Sequence, residues 1–227
     1  PIFEGESGFF KAVSQGVYEL TAFGGGNNPY KIAECSIKQF PLGQYSQTVV
    51  QAALEVREQI PDASSITQVT IKTMQKAIDI MAGDPEKWKP ETRETADHSM
   101  PYTTAVALTY GTVTQEHFDD NYIKNPQLLE LTGKVKVEAS DEADRRAPEA
   151  MLCNLEVMTN DGQTFSSEVP YHKGHYLNPM TDVEVEDKFR SLTKNLLSPD
   201  QTDKLLHQLW HLEDVEDLKE IFKLTKI

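Results

Sequence analysis

Short runs in the middle of the chain alternate between apolar and polar residues, which is the pattern of half-buried strands. In the run SITQVTIKT, Val69 and Ile71 fall on one face and polar residues fall on the other. Strands are therefore predicted around Val69 and at Ala33–Lys38, Lys134–Glu138, Leu152–Met158 and Gln163–Val169. A turn at residues 160–162 joins the last two as a hairpin. The pattern predicts an α+β fold with an antiparallel-type sheet.

Apolar residues between these strands recur at helical spacing and predict helices packed on the sheet. One predicted helix runs through Val49–Ile60, and a second starts near Pro101 and contains the apolar run Ala105–Leu108. A short third helix ends at Gly133. The charged stretch at residues 141–149 is predicted to be a solvent-exposed loop.

The two ends of the chain differ from its middle. A short helix through Phe9–Val17, with Ser7 as its cap, precedes the glycine-rich run Gly24–Pro29, where we predict a linker and a domain boundary. Capping boxes at Thr181–Glu184 and Ser198–Gln201 begin two amphipathic helices. A third amphipathic helix is predicted at Val215–Phe222. Three short helices with wide apolar stripes need a further surface to cover them.

Composition limits the classes of partner. The chain has 227 residues, with 22 Lys and Arg against 36 Asp and Glu, which gives a net charge of −14. A nucleic-acid partner is not expected, because a polyanion would be repelled by the average surface. An anionic small molecule would need a local basic pocket, so basic residues without acidic neighbours are the ones to examine.

The cysteine count and the apolar runs indicate the compartment. Cys35 and Cys153 are too few for a disulfide framework or a thiolate metal site, which fits a reducing compartment. Cys35 falls in a predicted strand, so a buried and unreactive thiol is expected there. No apolar run reaches the roughly 18 residues of a membrane span, and no signal segment opens the chain. We expect a cytoplasmic protein without membrane contact.

Charged residues are concentrated in the stretch Trp88–Tyr102, just ahead of the second predicted helix. The N-terminus of a helix presents unpaired N–H groups and partial positive charge. With Arg93 and His98 beside it, this helix end would suit a carboxylate-bearing substrate. Alternatively, these residues form a surface ion-pair cluster in which Asp97 or Ser99 caps a helix.

Further basic candidates lie at element edges. Lys38 ends a predicted strand, where a lysine is commonly only a solvated edge residue. His172 and His175 have the spacing of a metal pair but lack a nearby third ligand, so a zinc site is not predicted. No GxSxG motif is present, which leaves acyl transfer unsupported. The remaining chemistry is proton transfer by a lysine or histidine on a substrate whose carboxylates are held by cations and N–H groups.

Four motifs follow one another along the chain: FEGESGFF at Phe3–Phe10, IKQFP at Ile37–Pro41, TRETADHSMPY at Thr92–Tyr102 and GHYLNPMTDVEVEDKFR at Gly174–Arg190. Their content and order resemble the MmgE/PrpD family, and the resemblance covers essentially the whole chain. It implies that this chain is the C-terminal half of a longer protein with an N-terminal helical domain. The implied parts are the end of the helical domain and a linker at 1–31, an α+β lid domain at 32–175, and helices returning to the helical domain at 176–227.

The resemblance also implies a chemistry. It implies removal of water or carbon dioxide from a tricarboxylate without a metal or other cofactor, in the cleft between the helical domain and the lid of a homodimer. On this basis Lys38 and His98 are expected to be catalytic. The residues expected to contact the substrate are Arg93, Ser99, Tyr102 and His175.

Three activities stay open at this point. The decarboxylase branch of the family has an active-site tyrosine near the position of Ala77 and Ile78, where this chain has none. That difference favours a hydro-lyase that dehydrates 2-methylcitrate or a similar hydroxylated tricarboxylate, as in propionate metabolism. The alternatives are a lyase that decarboxylates cis-aconitate and a lid or interaction module without catalysis.

Overall fold

Residues 2–14 and 24–227 are described by a computed structural model, so Val17 of the first predicted helix lies outside the described residues. The chain divides into two units, Pro1–Cys35 and Ser36–Ile227. In the first unit, helix α1 spans Phe9–Ala12. Its N-cap residue is Gly8 rather than the predicted Ser7, and a glycine has no side chain that could cap the helix. The rings of its two phenylalanines and of Phe3 lie 6.0 to 6.5 Å apart.

The glycine run of the first unit forms a tight turn. Gly24, Gly25 and Gly26 have φ angles of 104°, 109° and 61°, which L side chains rarely adopt. An isolated bridge between Gly25 and Asn28 closes the turn. A 3₁₀ turn at Lys31–Glu34 follows it.

The strand predicted at Ala33–Lys38 is wrong. Residues 35–38 have no regular secondary structure, and Cys35 is exposed rather than buried. The segment alternates between apolar and polar residues, but Ile37 is exposed, and no strand among residues 2–14 and 24–227 pairs with this segment. Alternation without a pairing partner does not make a strand, since strands are stabilised by their neighbours.

The second unit contains most of the regular structure. Its strands are β1 (Ile66–Thr73), β2 (Val135–Ala139), β3 (Cys153–Thr159) and β4 (Thr164–Val169). Its helices are α2 (Gln47–Arg57), α3 (Gln75–Met81), α4 (Arg93–Asp97), α5 (Met100–Tyr110), α6 (Asp120–Ile123), α7 (Pro126–Gly133), α8 (Asp141–Arg146), α9 (Asp182–Thr193), α10 (Pro199–Trp210) and α11 (Lys219–Leu224). Short 3₁₀ turns lie at Gln44–Ser46, Ala63–Ser65, Pro85–Trp88, Gln115–Phe118 and Leu212–Asp214.

The four strands form one sheet in the order β2-β1-β3-β4, which confirms the predicted α+β fold. β3 is antiparallel to both β1 and β4, as the alternating pattern and the hairpin predict. β2 pairs parallel to β1, so the sheet is mixed rather than wholly antiparallel. This parallel pair requires a long crossover, which the helices α3 to α7 supply.

Helices α2 and α5 pack against each other and against the sheet, and the core lies between these layers. Val69 and Ile71 are fully buried on the side that the alternation assigns to the core. On the opposite face, Glu156 of β3 is exposed. Helix α5 is buried along almost its whole length, which explains why its sequence is apolar on all sides rather than on one stripe.

The loop predicted at residues 141–149 is also wrong, because its first six residues form α8. The Ser140 hydroxyl accepts a hydrogen bond from the N–H of Ala143 and caps the helix. Acidic residues fill the first turn and arginines the last, which matches the helix dipole. A highly charged sequence can therefore be helical when its charges are ordered in this way and Ala143 is buried.

Both predicted capping boxes of the C-terminal helices are present, at Thr181 with Glu184 and at Ser198 with Gln201. The last helix starts at Lys219, later than the predicted Val215. Large apolar side chains of these helices remain exposed: Val183, Leu192, Leu209, Trp210, Leu218 and Phe222. No helix among residues 2–14 and 24–227 combines the length and apolarity needed to cross a bilayer.

The position of Ile71 at the centre of the sheet gives a test of the fold. We expect Ile71→Ala to lower the free energy of unfolding by about 2–5 kcal/mol, because the surrounding strands cannot collapse into the cavity. Met158→Ala, on the exposed face of β3, should cost less than about 1 kcal/mol. Urea unfolding of the two variants would measure both values, and equal costs would contradict the assignment of the two faces.

Candidate functional site

The segment Lys38–Gly43, here called the KQFPLG loop, is fixed by one buried side chain. The Gln47 amide accepts a hydrogen bond from the N–H of Phe40 at 3.1 Å. The same amide donates to the carbonyl of Phe40 at 2.9 Å and to that of Leu42 at 3.3 Å. Gln47 is fully buried at the start of α2, so its three bonds tie the loop to a rigid helix.

A glycine at the other side of the loop determines how the chain enters it. The N–H of Ile37 donates to the carbonyl of Gly174 at 2.8 Å. Gly174 has a φ of 93°, and a Cβ there would lie 2.0 Å from the carbonyl oxygen of Ile37. Only glycine permits this approach, which places the exposed side chain of Lys38 at the start of the loop.

His98 lies beside the far end of the KQFPLG loop. The N–H of Gly43 donates to the carbonyl of Asp97 at 3.0 Å. A Cβ at Gly43 would lie 2.5 Å from Cε of Met81, so the absence of a side chain there lets this end of the loop pack against Met81. The same position lies 3.4 Å, an ordinary contact distance, from Cδ2 of His98. Lys38 therefore lies at the start of the loop and His98 lies beside its other end, and a catalytic role for either side chain stays a prediction.

The imidazole of His98 is oriented by carboxylates. Its Nδ1 atom lies 2.5 Å from Oδ1 of Asp97 and 3.7 Å from Oε1 of Glu94. A carboxylate only accepts hydrogen bonds, so Nδ1 carries the proton in the neutral ring and Nε2 is left with a free lone pair. The His98 side chain is 43% exposed, which makes Nε2 available for proton transfer.

Glu94, Asp97 and His98 each place one possible ligand atom within 4.8 Å of the others. Among the described residues, these three side chains have the spacing of a cation site. Carboxylate oxygens and an imidazole nitrogen suit several divalent ions. Glu94 is largely exposed, however, and all three come from one turn of chain. The family resemblance implies a reaction without a metal, and that expectation stays a prediction.

Three other predicted site residues bond to protein atoms. Arg93 pairs with Asp119 at 3.2 Å. The Ser99 hydroxyl caps α5 through the N–H of Tyr102 at 3.1 Å and also donates to the carbonyl of Lys87. These contacts match the alternative in which the stretch forms ion pairs and caps, and they hold α4 and α5 in place.

Tyr102 is fully buried, and its hydroxyl donates to the carbonyl of His117 at 2.6 Å. Burial raises the pKa of its phenol well above the usual value. Its interactions support the packing of α5, and direct contact with a substrate stays a prediction for Ser99 and Tyr102 alike.

His172 and His175 lie in the turn that contains Gly174. His172 is buried, with Nδ1 2.8 Å from the carbonyl of Lys173 and Nε2 2.9 Å from the amide nitrogen of Gln44. Nδ1 must therefore carry a proton and Nε2 must accept one, which fixes the neutral tautomer. Burial lowers the pKa of His172, in agreement with a neutral ring.

His175 is more exposed and stacks with Tyr171 and Tyr176, at centroid distances of 4.9 and 4.6 Å. Its Nδ1 atom accepts from the N–H of Leu177 at 3.2 Å. Burial is the main cause that lowers the pKa of His175, and the repulsion that would arise if His172 and His175 were both protonated lowers it further. No third ligand joins this histidine pair among the described residues, so the structure gives no support to a zinc site there.

Comparison with known proteins identifies the family. The profile of the MmgE/PrpD C-terminal domain matches residues 40–212, which is most of the chain and includes all but the first two residues of the KQFPLG loop. The chain belongs to the MmgE/PrpD family.

Individual MmgE/PrpD relatives carry two kinds of name. Cis-aconitate decarboxylase of Mus musculus is 28% identical over 137 residues, and that of Homo sapiens is 30% identical over 137 residues; each match covers 60% of this chain and 28% of the relative. 2-Methylcitrate dehydratase of Escherichia coli K12 is 29% identical over 161 residues, with 66% of this chain and 33% of the relative covered. The matched segments thus span about a third of the length of these curated relatives.

Two residues of this candidate site did not emerge from sequence reasoning. Gln47 is a buried polar residue at the start of α2, two positions before the predicted helix, and a buried polar side chain indicates a specific hydrogen-bond partner. Lys188 lies inside the last family motif, and its Nζ donates to the carbonyl of Gln39 at 3.4 Å. Only the fold shows that α9 returns to the KQFPLG loop.

Gln47 provides a test of how the loop is held. We expect Gln47→Leu to lower the free energy of unfolding by about 2–4 kcal/mol, because it leaves buried N–H and C=O groups of the loop without partners. Gln59→Leu removes an exposed amide from the end of the same helix and should cost about 0.5 kcal/mol or less. Chemical unfolding of both variants measures the difference, and similar costs would show that the loop does not depend on Gln47.

His172 provides a test by pH. The unfolded chain protonates this ring near its ordinary pKa of 6.5, whereas the folded state takes up the proton only at lower pH. Stability should therefore fall as the pH drops from about 7 to about 5, because the unfolded state binds more protons in this window.

The matched variants for this test are His172→Gln and His207→Gln, the latter on the exposed side of α10. The slope of unfolding free energy against pH measures how many more protons the unfolded state binds than the folded state. In His172→Gln this difference should decrease by up to about one proton. It should be unchanged in His207→Gln. An unchanged slope in His172→Gln would contradict the buried neutral ring.

Proposed function

We propose that this chain forms part of a lyase that eliminates water from a hydroxylated tricarboxylate such as 2-methylcitrate. Membership of the MmgE/PrpD family and the similarity to 2-methylcitrate dehydratase of Escherichia coli support a reaction of this type. The observation that carries the proposal is the KQFPLG loop, which begins at Lys38 and ends beside the Asp97–His98 pair. An ammonium group and an oriented imidazole are the groups that such an elimination needs.

The elimination divides into two bond changes. A base takes the proton from the carbon next to a carboxylate, and that electron pair forms the new double bond as the C–O bond to the hydroxyl breaks. The hydroxyl leaves as water after it receives a proton. Negative charge builds up on the adjacent carboxylate as the C–H bond breaks, and a fixed cation lowers the energy of that state.

We assign the cation to Lys38 and a proton-transfer role to His98. The imidazolium form of His98 can give its Nε2 proton to the leaving hydroxyl, while Asp97 holds the opposite nitrogen in place. Arg93 and His175 are the remaining candidates for binding the substrate carboxylates. Arg93 would first have to exchange its partner Asp119 for the substrate, since the two lie 3.2 Å apart.

We further propose that the general base belongs to the rest of the protein, because the matched segments cover only 28% and 33% of the relatives. The exposed apolar side chains of α9 to α11, such as Trp210 and Phe222, offer a surface for a helical domain to cover. Docking of that domain would bring its own residues to the KQFPLG loop. A homodimer of the complete protein stays a prediction.

A second candidate function is the decarboxylation of cis-aconitate. The observation in its favour is the similarity to cis-aconitate decarboxylases of mouse and human, at 28% and 30% identity. In that reaction the C–C bond to a carboxylate breaks, carbon dioxide leaves and a proton replaces it. Lys38 would stabilise the same kind of charge, so the product distinguishes the two functions better than any single residue does.

Turnover of the full-length protein tests the role of Lys38. We expect Lys38→Ala to reduce the rate of 2-methylcitrate dehydration about a hundredfold or more, which corresponds to the roughly 3 kcal/mol of a lost transition-state contact. Lys72→Ala removes an equal charge from the exposed face of β1 and should leave the rate within about twofold.

Near-normal turnover in Lys38→Ala would remove this lysine from the mechanism. Release of carbon dioxide from cis-aconitate, with no dehydration of 2-methylcitrate, would replace the proposed reaction by the second candidate. Absence of both activities, together with no protection from thermal unfolding by a tricarboxylate, would favour a non-catalytic module.

A further inference from the structure

Lys188 of α9 lies next to the KQFPLG loop. Its side chain is half-buried, and its ammonium group donates to the carbonyl of Gln39 at 3.4 Å. That weak bond uses one of the three N–H groups of the ammonium. Lys38 precedes Gln39 in the chain, so Lys188, from a distant part of the sequence, lies at the start of the loop that begins with Lys38.

Neither lysine is neutralised within the described part of the chain. Lys173 and Lys194, on either side of this region, pair with Glu184 at 3.1 Å and with Glu116 at 3.8 Å. Lys188 and Lys38 form no such ion pair with the described residues, although acidic residues outnumber basic ones 36 to 22 in the chain. Partial burial of an unpaired ammonium costs free energy, which an anionic ligand can offset.

The two ammonium groups also act on each other. The pKa of Lys188 is lowered by burial and, to a smaller extent, by the positive charge of Lys38. Like charges close together are unfavourable unless an anion binds between them. This agrees with the geometry, in which neither side chain has a carboxylate partner.

A groove beside Lys188 offers space for a ligand, and Lys38 directly precedes Gln39, which also lines it. Its volume is about 420 Å³, and Lys188 lines it together with Gln39, Pro41, Thr114 and Glu116. Small-molecule sites typically have volumes of about 300–1,000 Å³. Glu116 supplies one negative group in the groove, and its ion pair with Lys194 partly neutralises it.

We propose that Lys188 and Lys38 together form a carboxylate-binding subsite at this groove, which holds one carboxylate of the tricarboxylate substrate. Two ammonium groups can each donate to one oxygen of the same carboxylate, and such charge-assisted bonds are the stronger kind. The subsite rests on the proposed function, because that function supplies the tricarboxylate. Lys188 thereby adds a binding residue from α9 to the loop residues already described.

Binding of tricarballylate to the full-length protein tests the subsite. This tricarboxylate has no hydroxyl group to eliminate, so calorimetry measures binding without turnover. We expect Lys188→Gln to weaken binding about tenfold to a hundredfold, as for loss of a charged hydrogen-bond donor. Lys188→Arg, which keeps the charge, should recover part of that loss. Lys204→Gln removes an exposed charge from α10 and should bind as the unmodified protein does.

The outcomes separate the subsite from the proposed function. If the unmodified protein does not bind tricarballylate, the proposed function fails and the subsite fails with it. If Lys38→Gln weakens binding while Lys188→Gln does not, the proposed function stands and the subsite is overturned. Lys188→Gln must keep the unliganded melting temperature of the unmodified protein. If it does not, the comparison of Lys188→Gln with Lys188→Arg decides, and equal affinities in those two overturn the subsite.

Discussion

The Gln47 amide is the interaction on which the candidate site depends. It bonds to the backbone of the KQFPLG loop at three points, and it is fully buried at the first turn of α2. α2 in turn packs on α5 and on the sheet, so the position of the loop is set by the core. Gly174 limits the entry to the loop, and Gly43 lets its other end pack against Met81 beside His98. A flexible segment is thereby converted into a fixed support for Lys38 and His98.

Local sequence signals predicted those parts of the fold that local forces decide. The cap at Ser99, the two capping boxes of the C-terminal helices and the alternation around Ile71 each involve residues within a few positions of one another. The strand predicted at Ala33–Lys38 failed because no strand in the described part of the chain pairs with it. The parallel pairing of β1 with β2 was missed because it depends on a crossover of five helices, which alternation does not record.

Sequence reasoning predicted only part of the candidate site, because contacts between distant segments decide the rest. Lys38 and His98 came from a family resemblance, and the structure adds that one loop connects them. Arg93 forms an ion pair with Asp119, and the Ser99 hydroxyl caps the N-terminus of α5. The Tyr102 hydroxyl donates to the carbonyl of His117. Their polarity drew attention to them, but polarity alone does not distinguish a substrate contact from a capping or packing contact. Lys188 could not be identified in the sequence, because its significance lies in the return of α9 to the loop.

Acidic composition and a carboxylate substrate are compatible when positive charge is local. Most of the surface repels an anion, while the start of the KQFPLG loop presents two lysines without acidic partners among the described residues. The most direct measurement is a crystal structure of the full-length protein with bound tricarballylate. We predict one carboxylate within hydrogen-bond distance of Nζ of Lys38 and a carbon of the ligand facing Nε2 of His98. A ligand bound elsewhere, with both side chains in solvent, would contradict the assignment of the loop as the site of the reaction.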